Sequence, residues 1–152
     1  MPILHLHDES ATLALGARIG AALAPGDVVA LDGDLGAGKT VLARGIARGL
    51  GIRGRVASPT FGLLHLHETG RLPLAHMDLY RLGSAAELDD LGLDDLIAEG
   101  AAAVVEWAGR FPDALPADRL EIRLEAPTPA VRVATVTATG PRHQRLVDGL
   151  DG

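Results

Sequence analysis

A chain of 152 residues, 47% of them hydrophobic, can bury one proper core and is too apolar for wholesale disorder, so a single domain over residues 1–152 is expected. It has no cysteine, which excludes a disulfide framework and a thiolate metal site and agrees with a reducing cytoplasm. A net charge of −6 argues against a protein that grips nucleic acid unaided, and neither a membrane-spanning apolar run nor the basic-then-apolar order of a signal peptide is present.

Ile3-Leu4-His5-Leu6-His7 alternates apolar and polar residues, the period of a short strand. Asp8, Glu9 and Ser10 then supply capping oxygens for a helix from Ala11 to Leu23. In that helix Leu13, Ala17 and Ala21 share one side, with Leu15, Ile19 and Leu23 beside them. Pro25-Gly26 turns the chain into Val28-Val29-Ala30-Leu31, a continuous apolar run of the kind a buried parallel strand carries.

Gly33-Asp34-Leu35-Gly36-Ala37-Gly38-Lys39-Thr40 follows at once and reads G-x-x-x-x-G-K-T. Its glycines allow consecutive N–H groups to turn inward on phosphate oxygens, and the start of the next helix adds partial positive charge. Lys39 is suited to the β- and γ-phosphates of a nucleotide, and Thr40 to a Mg²⁺ ion. Lys39 is also the only lysine among 14 basic residues. A chain that uses arginine everywhere else keeps a compact ammonium where a planar guanidinium would not fit. A chance glycine-rich turn is the weaker reading, because strand, loop and helix agree. From Val41 to Leu50 apolar residues recur at helical spacing, and Gly49 or Gly51 ends the helix.

Gly51 to Arg55 reads as a loop and Val56-Ala57 as the start of a short strand. Gly62 to His67 and Leu72 to Met77 are strand-like, joined by a hairpin signal at Glu68-Thr69-Gly70. Ser84 to Glu99 is helical and acidic. Ala101 to Val105 is a second buried-strand run, which delivers Glu106 and Trp107 at its end. Phe111 to Pro116 is a loop. Arg119 to Glu125 and Val131 to Thr139 alternate as paired outer strands do, and Pro141 opens a terminal helix reaching Leu150. The whole predicts an α/β fold: a mostly parallel sheet sandwiched by helices, with an antiparallel extension.

Three segments complete a site around the phosphate loop. Thr60, in Ser58-Pro59-Thr60-Phe61, suits either a mobile loop that senses the γ-phosphate or an ordinary turn. Asp78 ends an apolar run, where open α/β sheets place ligand-binding groups, so it holds a Mg²⁺-bound water, orients an attacking water or caps a helix. Arg81 beside it suits phosphate, a partner or simply the surface, and is the one candidate arginine finger in cis. Glu106 stands just past four apolar residues, and a carboxylate there is rarely buried unless paired or bound to metal. The pairs His5-x-His7 and His65-x-His67 lack a third ligand and read as surface or half-buried histidines. Glu87, Asp89, Asp90, Asp94, Asp95 and Glu99 form an acidic run, a solvated helix face or a protein-docking surface.

Taken in order, Gly-Asp-Leu-Gly-Ala-Gly-Lys-Thr, Ser-Pro-Thr-Phe, His-x-Asp-Leu-Tyr-Arg-Leu and Val-Glu-Trp resemble the TsaE (YjeE) family, from about Asp8 through Phe111. These are small bacterial P-loop ATPases of tRNA threonylcarbamoyladenosine biosynthesis. The resemblance implies Mg²⁺-dependent ATP hydrolysis in the cytoplasm. It also implies work with the TsaB–TsaD pair, which modifies adenosine 37 of tRNA and which the ATPase allows to turn over repeatedly. Contact with tRNA is then indirect. By the same resemblance Asp34, Leu35, Gly36, Ala37, Gly38, Lys39 and Thr40 cradle phosphate, and Thr40 with Glu106 holds Mg²⁺. Asp78, Glu106 and Lys39 serve hydrolysis, Thr60 lies in a switch-like loop, and Ser10 and Thr12 match a segment near the adenine. His67 stands where the family often carries tyrosine, and Gly62 where threonine is more usual. Two other functions are weighed beside this one. A small-molecule kinase would need an arginine-bearing lid, but the segment after Asp78 is acidic and offers only Arg81. A non-catalytic, nucleotide-switched adaptor would have no need of Asp78 and Glu106.

Overall fold

The computed structural model describes residues 2–34, 36–53 and 64–150. Thr60 and the rest of Ser58 to Phe61 lie outside the described residues, as do Leu35 and the strand expected at Val56-Ala57. Among the described residues no helix is long and apolar enough to cross a membrane.

A short strand, β1 (Ile3–Leu6), leads into α1 (Glu9–Ala22). The Asp8 carboxylate accepts the Ala11 N–H at 2.7 Å, so the helix starts two residues before the expected Ala11 and takes Glu9 and Ser10 into its first turn. β2 (Val28–Gly33) and α2 (Lys39–Gly49) flank the glycine-rich loop. β3 (Leu64–His67) and β4 (Leu74–Asp78) form the expected hairpin. α3 (Ala85–Asp90), α4 (Leu93–Ala98) and β5 (Ala102–Glu106) follow. Two single 3₁₀ turns come next, and then β6 (Leu120–Glu125), β7 (Arg132–Ala138) and α5 (Pro141–Leu150).

The seven strands form one sheet in the order β1-β7-β6-β2-β5-β4-β3. The centre, β6-β2-β5-β4, is parallel, and antiparallel strands flank it on both sides. Val29, Leu31, Val104 and Leu74 face one apolar cluster with α1, α2 and α5, while Val28, Ala30, Ala103 and Met77 face the other with α3 and α4. β2, β4 and β5 are thus covered on both faces, which is why they read as unbroken apolar runs.

Two expectations need correction. β6 is not an outer strand, because it lies between β7 and β2. It alternates nonetheless, since Leu120, Ile122 and Leu124 are buried on the α1/α2 side while Arg123 and Glu125 on the other face stay exposed. The acidic helix expected from Ser84 to Glu99 is two helices, broken at Gly92 with φ +79°. Leu88 and Leu93 are both buried. On one straight helix they would point about 140° apart, so the left-handed glycine lets each helix turn its own leucine inward. The acidic residues of this segment are all exposed.

α1 and α2 approach through glycine. A Cβ on Gly16 would come within 2.6 Å of the Leu42 carbonyl oxygen, and one on Gly45 within 2.5 Å of that of Leu13. Gly20 and Gly49 are tighter still against the carbonyls of Ile46 and Ala17. This contact sets the start of α1 beside the glycine-rich loop.

Candidate functional site

The loop crosses the C-terminal end of the sheet, from β2 to the first turn of α2. Gly33, Gly36 and Gly38 have φ of +148°, +80° and +105°, values that side chains with a Cβ rarely adopt. Gly33 has a second reason to be glycine, for the Leu124 carbonyl would meet any Cβ there. The backbone can therefore turn as tightly as phosphate binding requires.

Lys39 is only 5% exposed. Its Nζ donates to the carbonyls of Gly33 at 2.6 Å and Asp34 at 2.9 Å, and it lies 4.1 Å from the centre of the Trp107 ring. Burial holds the Lys39 ammonium below the usual lysine range, while Glu106, Asp32, Asp78 and Asp34 pull the other way. Asp34 is exposed and Ala37 is buried.

Glu106, at the end of β5, is 2% exposed. The Thr40 hydroxyl donates to its Oε1 at 3.1 Å, and Nε2 of His76 lies 2.6 Å from its Oε2. Parallel pairing of β4 with β5 sets Asp78 directly beside Glu106. Burial raises the Asp78 carboxyl above its ordinary value, the nearby Glu106 adds to this, and the Tyr80 N–H works against it. Lys39, Thr40, Asp78 and Glu106 line one cleft of about 320 Å³, with Trp107 as a wall. Its donors are a hydroxyl and carboxylates, hard oxygens of the kind that suit Mg²⁺ held jointly with phosphate. Among the described residues no group of three or more His, Cys, Asp or Glu forms a metal cage by itself.

A second cleft of about 500 Å³ adjoins the first, sharing Gly36, Gly38 and Val41. Thr12, Asp8 and Arg132 line it, and Arg132 donates to the Gly36 carbonyl at 3.3 Å. Ser10 is exposed on α1 and lines neither cleft.

Several contacts join residues far apart in the sequence. Arg81 is exposed and lines neither cleft. Arg110 instead ties the loop after β4, donating to the carbonyls of Leu79 at 2.7 Å and Tyr80 at 2.6 Å. Trp107, with a left-handed φ of 58°, stacks 4.9 Å from Tyr80. His76 carried a usable signal, because two residues before Asp78 in a strand means the same face.

Known proteins resemble this chain over most of its length. The family model described as "Threonylcarbamoyl adenosine biosynthesis protein TsaE" matches residues 6–133. A Bacillus subtilis protein called tRNA threonylcarbamoyladenosine biosynthesis protein TsaE is 44% identical over 135 residues, 88% of this chain and 84% of its own. The protein of the same name from Streptomyces coelicolor is 43% identical over 135 residues, 84% of this chain and 90% of its own. The crystal structure of Bacillus subtilis YdiB superposes with a TM-score of 0.86 at 35% identity, covering 99% of this chain and 93% of that one.

Proposed function

The chain belongs to the TsaE family, and from that premise we propose that it is the Mg²⁺-dependent, ATP-hydrolysing component of the system that makes threonylcarbamoyladenosine at position 37 of tRNA. In this role it enables repeated turnover by the TsaB–TsaD transferase and meets tRNA only through that complex. The observation that carries the reading is the single cleft lined by Lys39, Thr40, Asp78 and Glu106.

Each residue has a task there. Lys39 exchanges the Gly33 and Asp34 carbonyls for β- and γ-phosphate oxygens, and its ammonium offsets their charge. Thr40 and Glu106 would hold Mg²⁺, which, when bound, neutralises charge on the β- and γ-oxygens. Asp78 accepts a hydrogen bond from the attacking water and orients it in line with the γ-phosphorus. Trp107 closes one wall of the cleft and excludes bulk water. The 500 Å³ cleft beside Thr12 suits the nucleoside half of ATP. Among the described residues no arginine lines the phosphate cleft, and without a guanidinium on the developing charge turnover by the isolated chain would be slow.

The test is a reconstitution with TsaB, TsaD, threonylcarbamoyl-adenylate and tRNA, with and without this chain. Multiple rounds of modification only in its presence, and only with hydrolysable ATP, are the expected result. Equal turnover without it would overturn the proposal.

A further inference from the structure

His76 belongs to none of the roles above, yet it makes one of the shortest side-chain contacts in the site. It is 1% exposed on β4. Strand alternation and the pairing of Asp78 with Glu106 put His76, Asp78 and Glu106 on one face of the sheet. Its Nε2 lies 2.6 Å from Glu106 Oε2, while the other carboxylate oxygen takes the Thr40 hydroxyl at 3.1 Å. One carboxylate therefore joins β4, β5 and the first turn of α2.

The direction of the hydrogen bond follows from the ring's surroundings. Nδ1 of His76 is buried and has no hydrogen-bond partner among the described residues. A ring with its proton on Nδ1 alone would press an Nε2 lone pair against a carboxylate, so Nε2 carries a proton and donates to Glu106. The His67 ring lies 6.5 Å away between centroids and also has a buried Nε2 without a partner among the described residues.

A glutamate has three side-chain torsions, and the Lys39 ammonium draws this carboxylate. We infer that His76 is a positioning residue, which pins Oε2 of Glu106 so that Oε1 stays beside the Thr40 hydroxyl, where the two can bind Mg²⁺ together with nucleotide phosphates. This inference rests on the reading of the cleft as a Mg²⁺–nucleotide site. Partners that orient a ligating side chain typically change metal affinity or activity by about 10–100-fold when removed.

The experiment compares His76→Leu, which removes the donor, with His76→Gln, whose amide reaches the Nε2 position. Binding of a fluorescent, non-hydrolysable ATP analogue is titrated with Mg²⁺, and kcat and KM for ATP are measured alongside melting temperature. For His76→Leu the Mg²⁺ concentration at half-saturation should rise about tenfold or more, with metal-free analogue binding unchanged. kcat should fall while KM holds, and His76→Gln should recover most of both losses. Unchanged Mg²⁺ half-saturation in His76→Leu, or a His76→Gln protein as defective as His76→Leu, overturns the inference. If His76→Leu does not fold, His76→Asn replaces it, since its amide reaches only the Nδ1 position. A defect in Asn that Gln lacks supports the assignment, and equal behaviour of the two contradicts it. Wild-type protein that binds Mg²⁺ and analogue but never releases phosphate defeats the hydrolytic reading alone, because the Mg²⁺ titration still measures the positioning.

Discussion

The hydroxyl of Thr40, in the first turn of α2, donates to Oε1 of Glu106, 66 residues further along the chain, at 3.1 Å. The phosphate loop and the end of β5 are thus joined through the two groups best suited to a hard cation. Replacing Thr40 by valine keeps the shape and removes the donor. Nucleotide binding in the presence of Mg²⁺ should weaken about tenfold or more, while metal-free binding stays near wild type. Calorimetric titration with ADP, with and without Mg²⁺, reads the difference. Equal losses in both conditions would mean that Thr40 acts through the loop's shape alone.

Lys39 is enclosed by the Gly33 and Asp34 carbonyls and the Trp107 ring. A guanidinium is planar and wider and has no room at a position 5% exposed. Lys39→Arg should therefore lose ATP binding as completely as Lys39→Ala, by about a hundredfold or more. Substantial binding by the arginine variant would show that charge alone suffices here.

Asp78 is expected to cost the empty protein stability. Its folded pKa lies above the ordinary aspartate value, chiefly through burial. The folded state therefore binds the proton more tightly than the unfolded state, and stability falls as pH rises from the ordinary value through the folded one. The penalty is fully present only above the folded pKa. Asp78→Asn keeps an acceptor for the Tyr80 N–H and removes the charge. Urea denaturation should find it more stable than wild type at neutral pH, with the gain shrinking in acid, and catalytically impaired. A destabilised Asn variant would point to a structural role instead.

The α1–α2 contact leaves no space for a methyl group at Gly20, which faces the Ile46 carbonyl. Gly20→Ala should destabilise the fold by about 3 kcal/mol, a drop in melting temperature of roughly 6–12 °C for a chain of this size. Gly149→Ala, on α5 with open space around it, should be neutral or stabilising by about 0.5 kcal/mol. Thermal melts of the two variants check both values.

Much of this site was legible in the residues because the chemistry is local. Gly33 to Thr40 carries loop, cation and hydroxyl in one stretch, and the buried runs before Glu106 and Asp78 are strands whose ends line one cleft. What escaped notice depended on distant partners. β6 alternates like an edge strand because one of its faces lacks a covering helix, and nothing in Arg119 to Glu125 reveals its pairing with β2. The break at Gly92 follows from the need to bury both Leu88 and Leu93. His76 shares a face with Asp78 by strand spacing, but its partner Glu106 lies 30 residues away in the chain. Arg110, rather than the nearer Arg81, holds the loop after β4, because a 3₁₀ turn after Trp107 carries it back over Leu79 and Tyr80.

If the Glu106 carboxylate, beside Lys39 and Thr40, takes part in cleaving the β–γ linkage of ATP, phosphate release from Mg²⁺·ATP in the presence of TsaB and TsaD depends on it. Wild type should then release phosphate steadily, and Glu106→Gln should still bind ATP but release phosphate at about one-hundredth of that rate or less. Undiminished release by Glu106→Gln, or none by wild type, would refute this role.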